Sequence, residues 1–118
     1  IYNRLSASLS CSVYDEVPQG AAFPYVAIGE DTAVDAGAKN AHGEEATVTL
    51  HVWSRAKGMS EAKGLISSIV YAMTGAPLPI TGFQSAIAQR EMADTFRDPD
   101  GITRHGVIRF RFRIFQEV

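Results

Sequence analysis

Arg109, Arg111 and Arg113 alternate with Phe110, Phe112 and Ile114 near the C-terminal end of the sequence. On a strand this period puts guanidinium groups on one face and apolar side chains, Ile108 among them, on the other. A guanidinium row can meet phosphate or an acidic neighbour. It can equally be a solvated face, neutralised in part by Glu91. Sheets that read RNA place aromatic residues among the basic ones on the exposed face. Here the aromatics go to the opposite face and only Phe115 shares the arginine side, which weakens that chemistry.

The other reactive side chains are scattered. His42, His51 and His105 have no metal-ligand spacing with one another, with Cys11 or with a carboxylate. Each reads as an ordinary loop or strand histidine. Cys11 has no base that the sequence identifies, so a small buried thiol is expected rather than a nucleophile. Asp98-Pro99-Asp100-Gly101 resembles part of a calcium loop but lacks the terminal Glu, and reads as a turn. Glycine-rich phosphate cradles are missing too. The expectation is no enzyme, no cofactor and no metal.

Composition bounds the class. The sequence has 118 residues, 46% of them hydrophobic, which is enough for the core of one domain spanning 1–118. A single cysteine rules out a disulfide scaffold. No apolar run approaches the roughly 18 residues of a membrane span, and no signal peptide is visible, so no membrane partner and a cytosolic setting are expected. The first residue is Ile1 rather than Met, so some preceding residues are expected to be missing. The net charge of −2 excludes a module held on nucleic acid by bulk charge. That small sum hides a split. Leu5 to Trp53 holds seven acids and one base, Lys39, for −6, while Ser54 to Val118 carries +3. Opposed patches of this kind can mark a surface for an oppositely charged partner, and they can also simply mix on one surface.

The elements that would position these groups follow from period and punctuation. Ile1 to Ser10 reads as the end of a helix, with Leu5 and Leu9 four apart. Ser12–Val17 and Pro24–Gly29 are short strand candidates, separated by a Pro18-Gln19-Gly20 turn. Glu45–Arg55 alternates, with Ala46, Val48, Leu50 and Val52 on one face and Thr47, Thr49, His51 and Trp53 on the other. Gly58–Thr74 predicts an amphipathic helix whose stripe is Ala62, Leu65, Ile66, Ile69, Val70 and Met73. Ser60 is placed as its N-cap and Gly75 as its C-cap, with Pro77 beyond. Phe83–Phe96 and Ile102–Phe115 predict a hairpin, closed by a type I turn with Pro99 at its second position. A three-residue loop would set Asp98 against Ile102, Glu91 against Arg109, Gln89 against Arg111, Met92 against Ile108 and Ala88 against Phe112. Glu30 to Gly43 has no usable period; it is a functional connection or a projecting hairpin arm. The sum is α+β: a mostly antiparallel sheet of four to five strands, one long amphipathic helix on one face and a partial N-terminal helix.

Three segments, in this order and spacing, carry a family resemblance. They are Val13-Tyr14-Asp15-Glu16-Val17-Pro18-Gln19-Gly20 running on through Phe23-Pro24-Tyr25-Val26 to Ile28-Gly29-Glu30, then Leu50-His51-Val52-Trp53-Ser54-Arg55 with Gly58 after it, and Asp98-Pro99-Asp100-Gly101-Ile102-Thr103-Arg104-His105-Gly106. The arrangement resembles the tail-completion (tail-terminator, tail-to-head joining) proteins of long-tailed phages and gene transfer agents. The resemblance implies a structural subunit of a hexameric ring at the head-proximal end of a tail. Such a ring ends tube polymerisation, meets the head-tail connector, and passes DNA through its lumen without reading its sequence. It implies assembly in the bacterial cytoplasm, residence in the virion, and no catalytic residues. A ring needs two different patches that meet on rotation. The candidates for the subunit boundary or lumen are Arg109, Arg111 and Arg113, and Glu30, Asp31, Asp35, Lys39, Glu44 and Glu45. The rival reading is a small nucleic-acid-binding module using the arginine row, which would bind short DNA in a salt-sensitive way.

Overall fold

The computed structural model describes residues 1–35, 43–75 and 87–115. Among the described residues seven elements follow one another: α1 (Tyr2–Ser8), β1 (Ser12–Tyr14), β2 (Tyr25–Asp35), β3 (Gly43–Ser54), α2 (Ser60–Thr74), β4 (Gln89–Arg97) and β5 (Arg104–Phe115). The strands form one sheet in the order β1-β2-β3-β5-β4. Only the β1–β2 pair is parallel. This is the predicted α+β fold.

The core lies between α2 and one face of the sheet. Alternation sends Val48, Leu50 and Val52 of β3 and Ile108, Phe110 and Phe112 of β5 to that face, where all are buried. From α2 they meet Ile66, Ile69 and Met73, three and four residues apart. Leu5 of α1 is fully buried and closes one margin. Helix α2 comes close because β5 has Gly106 beneath it, where an added Cβ would lie 3.0 Å from Ile66 Cδ1 and 3.3 Å from Val52 Cβ.

Several boundaries differ from the sequence expectation, each for a physical reason. Ser60 is the first residue of α2, not its cap; the N-cap is Met59, without a side-chain cap bond. Glu61 in the first turn instead accepts a 2.7 Å hydrogen bond from the hydroxyl of Ser54 at the end of β3. Of the two readings of Glu30 to Gly43, the hairpin arm holds for the described part: Glu30–Asp35 is the second half of β2 and pairs with β3. Its acids Glu30, Asp31 and Asp35 have poor strand propensity, and backbone pairing with β3 holds it extended. Strand β4 begins at Gln89, so Ile87 and Ala88 precede it, while 83–86, assigned to this strand from the sequence, lie outside the described residues.

The β4–β5 turn keeps its predicted chemistry but not its size. Gly101 has φ +72°, and its N–H donates to Asp98 O at 3.0 Å, with Pro99 between them. The loop nevertheless spans Asp98 to Thr103, because Asp98 N donates to Thr103 O at 2.9 Å. One Asp100 oxygen accepts from the amides of Ile102 and Thr103, each at 2.8 Å, and the other from the Thr103 hydroxyl at 2.7 Å. Arg104 donates to the carbonyls of Gly101 and Ile102. These bonds hold the wider loop open and shift the hairpin by one residue, so Met92 faces Arg109 and Ala93 faces Ile108. A bulge at Glu91 then restores the predicted Gln89–Arg111 pair. The expected Asp98–Ile102, Glu91–Arg109, Met92–Ile108 and Ala88–Phe112 pairs do not form.

Candidate functional site

The sheet face turned away from α2 gathers the polar and aromatic side chains, and register sorts them into rows. At the turn end, Tyr25 of β2, Trp53 of β3, His105 of β5 and Phe96 of β4 are direct cross-strand partners. Trp53 and His105 stack with centroids 3.8 Å apart and planes 10° from parallel. Phe96 meets His105 edge-on at 4.8 Å. Tyr25 continues the row to Tyr14 and Phe23, at 5.8 Å and 5.1 Å, and the Arg55 guanidinium lies 4.3 Å from the Phe23 ring centre. Phe96 is 43% exposed, so part of this row is open to contact. The arginine face thus carries aromatics after all, contributed by strands other than β5.

Next along the face lies a polar line. His51 Nδ1 is 2.8 Å from His105 Nε2, and His51 Nε2 is 3.4 Å from Glu30 Oε2. The β2 bulge between Ile28 and Asp31 supplies Glu30 to this line. Gly29 leaves room for it: a Cβ there would lie 2.7 Å from the His51 ring. The Glu30 carboxyl is held below the usual carboxylate range by its own backbone amide and by the His51 imidazole. Burial, and then the neighbouring His51, push the His105 imidazole below its ordinary value.

The far end holds the arginine row. Arg111 reaches Glu91 on β4 at 2.7 Å and Glu45 on β3 at 3.2 Å. Arg113 lies 3.8 Å from Glu45 and is 68% exposed. Arg109 donates from Nε to the Thr49 hydroxyl at 3.5 Å. Thr32 and Thr47 share a hydroxyl–hydroxyl hydrogen bond beside them.

The structure therefore brings together Arg109, Arg111, Arg113 and Glu45, and separately joins Glu30 to the histidines. Asp31 is exposed and registers with Val48, on the other side of the sheet. Asp35 and Glu44 are backbone partners on β2 and β3, and Lys39 lies outside the described residues. Sequence reasoning missed the His51–His105 pair and the aromatic row. Their members lie on different strands, and only the pairing register aligns them.

Among the described residues, no group of three or more His, Cys, Asp or Glu could hold a metal ion. Nor, among them, is any helix long and apolar enough to cross a membrane. Burial raises the Cys11 thiol above its ordinary value, with Glu61 adding to the effect, which disfavours the nucleophilic thiolate.

Comparison with known proteins places this surface in context. Residues 2–114 match the family model described as "Tail completion protein gp17". The tail completion protein gp17 of Bacillus phage SPP1 is 35% identical over 92 residues, covering 78% of this chain and 68% of that protein. A chain in a structure of the virion of a native gene transfer agent particle superposes with a TM-score of 0.77 at 27% identity, over 94% of this chain and 84% of its own. The structure of bacteriophage SPP1 gp17 gives 0.59 at 29% identity, over 99% and 81%. With nearly all of its length matched in both sequence and fold, the chain belongs to the tail completion proteins, a family of structural virion proteins of phage-type tails.

Proposed function

We propose that this protein forms a ring, a hexamer by family resemblance, at the head-proximal end of a phage-like tail. There it ends polymerisation of the tail tube and joins the tail to the head connector. The match over residues 2–114 to tail completion proteins carries this reading. The partners are further copies of the chain, the tail tube protein and the connector, with DNA passing through the lumen without sequence recognition. Assembly takes place in the bacterial cytoplasm.

A closed ring of identical subunits needs two unlike patches. Arg113, at the open end of the arginine row, and the exposed acids Glu30 and Asp31 are the described candidates for contact or lumen positions. Arg109 is a further exposed candidate, and Arg111 and Glu45 are weaker ones, because their paired side chains are less exposed than those of Arg113 and Glu30. Electron micrographs of particles made without this protein test the proposal. Tailless heads beside overlong tubes are expected; joined tails of normal length would overturn it.

One observation favours the rival nucleic-acid module: the Trp53–His105–Phe96 cluster, on the same sheet face as the arginines, offers rings on which bases can stack. Against it, Glu45 and Glu91 already neutralise Arg111. Salt-sensitive binding of short single-stranded DNA by the isolated subunit would favour the module.

A further inference from the structure

We propose that Glu30, His51 and His105 form a pH-responsive latch on the outer sheet face, closed while the two imidazoles share one proton fewer than they could carry, and opened when both are charged. The inference stands apart from ring formation and rests on the geometry of the line.

The 2.8 Å separation of His51 Nδ1 and His105 Nε2 requires one nitrogen to donate and the other to accept. The Glu30 carboxylate can only accept, so His51 Nε2 carries a hydrogen toward it. In the neutral pair His51 Nδ1 is then the acceptor and His105 donates from Nε2. One added proton fits without breaking anything. It enters at His105 Nδ1, and one hydrogen still lies between His51 Nδ1 and His105 Nε2. A second proton does not fit. It must enter between those two nitrogens, and two donors cannot stay at that distance. The pair therefore titrates as a unit in two separated steps.

The two rings have different neighbours. Glu30 on β2 faces His51, and His105 lies between Trp53 of β3 and Phe96 of β4. Asp98 in the turn and Glu30 favour charge on His105, while burial and His51 oppose it and act first. Asp94 of β4 lies on the same face and is bonded to the amide of Thr95. Arg109 lies further along β5, bonded to Thr49 of β3, and Arg55 after β3 lies over Phe23. When the second proton parts the rings, it releases the Trp53–His105–Phe96 stack, so the aromatic row is the element that responds to acid.

Imidazole nitrogen NMR on the full chain reads each step directly. In the unmodified protein the pair is expected to charge in two separated steps, with His105 reaching its charged form below the ordinary histidine value. His51→Gln removes the competing charge but keeps a neutral hydrogen-bonding side chain, and should raise the His105 midpoint by about one pH unit, a tenfold gain in proton affinity. Trp53 is the one tryptophan, so its emission should shift to the red at the lower midpoint and move with it in the His51→Gln variant. Independent titration of both histidines near the ordinary value in the unmodified protein would overturn the latch. So would a His105 midpoint that His51→Gln leaves in place.

Discussion

Strand β5 sends Ile108, Phe110 and Phe112 toward α2 and Arg109, Arg111 and Arg113 away from it, so one segment serves two surfaces. The covered surface is closed: Phe110 is fully buried among β3 and α2 side chains. The outer surface is satisfied differently, by pairing. Arg111 sits between two carboxylates, His51 between Glu30 and His105, and Trp53 against His105. Burial supplies most of the stability of a fold, whereas exposed pairing supplies little. The outer face can therefore change with pH or partner while the fold stays intact.

The largest test of the contrast is Phe110→Ala. Deleting a fully buried aromatic ring should cost about 3–5 kcal/mol, read as a lower urea midpoint. A cost below about 1 kcal/mol would mean the covered face is not the load-carrying one. Gly106→Val comes next, at about 1–3 kcal/mol, because its branched side chain would enter space already filled by Ile66 and Val52. A neutral result there would show that α2 can ride up from the sheet without loss.

The covered face was legible in the sequence and the outer one was not. The α2 stripe and the alternation from Val48 to Val52 are local patterns: Ala62, Ile66, Ile69 and Met73 are buried as the period predicts, while Leu65 and Val70 of the same stripe are only half-buried against the core. The arginine row was equally local. Its partners were not: Glu45 reaches Arg111 only because β3 lies beside β5, a neighbour relation that no period encodes. His51 and His105 meet across 54 residues of sequence. The bulges at β2 and at Glu91 each shift a register by one residue, which decides whether a side chain faces one way or the other. At the turn, Pro99 and Gly101 announced the bend, but the side-chain bonds of Asp100 and Arg104 set its width.

The pH dependence of stability separates the outer groups from the core. His105 binds a proton less readily folded than unfolded, so the unfolded chain takes up protons first as acid is added. Its contribution is complete above the ordinary histidine value and is lost as pH falls through that value toward the folded one. Asp100 is held down to about 2 by the Thr103 hydroxyl and by the amides of Thr103 and Ile102. Its contribution is present above the ordinary carboxylate range and fades as pH falls toward about 2. Thermal melts of the parent and of His105→Gln should run parallel above the ordinary histidine value and differ in slope below it, where only the parent loses this contribution. Parallel curves throughout would mean that His105 is not perturbed by its setting.

The smallest effect expected is that of Arg111→Ala. The side chain is nearly half exposed, and its two ion pairs, to Glu45 and Glu91, lie on a wet surface where salt screens them. Removal should cost about 1 kcal/mol or less, and the cost should shrink as salt is raised. The double variant with Glu91→Gln should cost less than the two single changes added together, because either one alone breaks the 2.7 Å contact. If Arg111→Ala instead rivals Phe110→Ala, the ladder from β3 through β5 to β4 is part of what holds the sheet together. The contrast between a structural face and an adaptable one would then fail at the strand from which it was drawn.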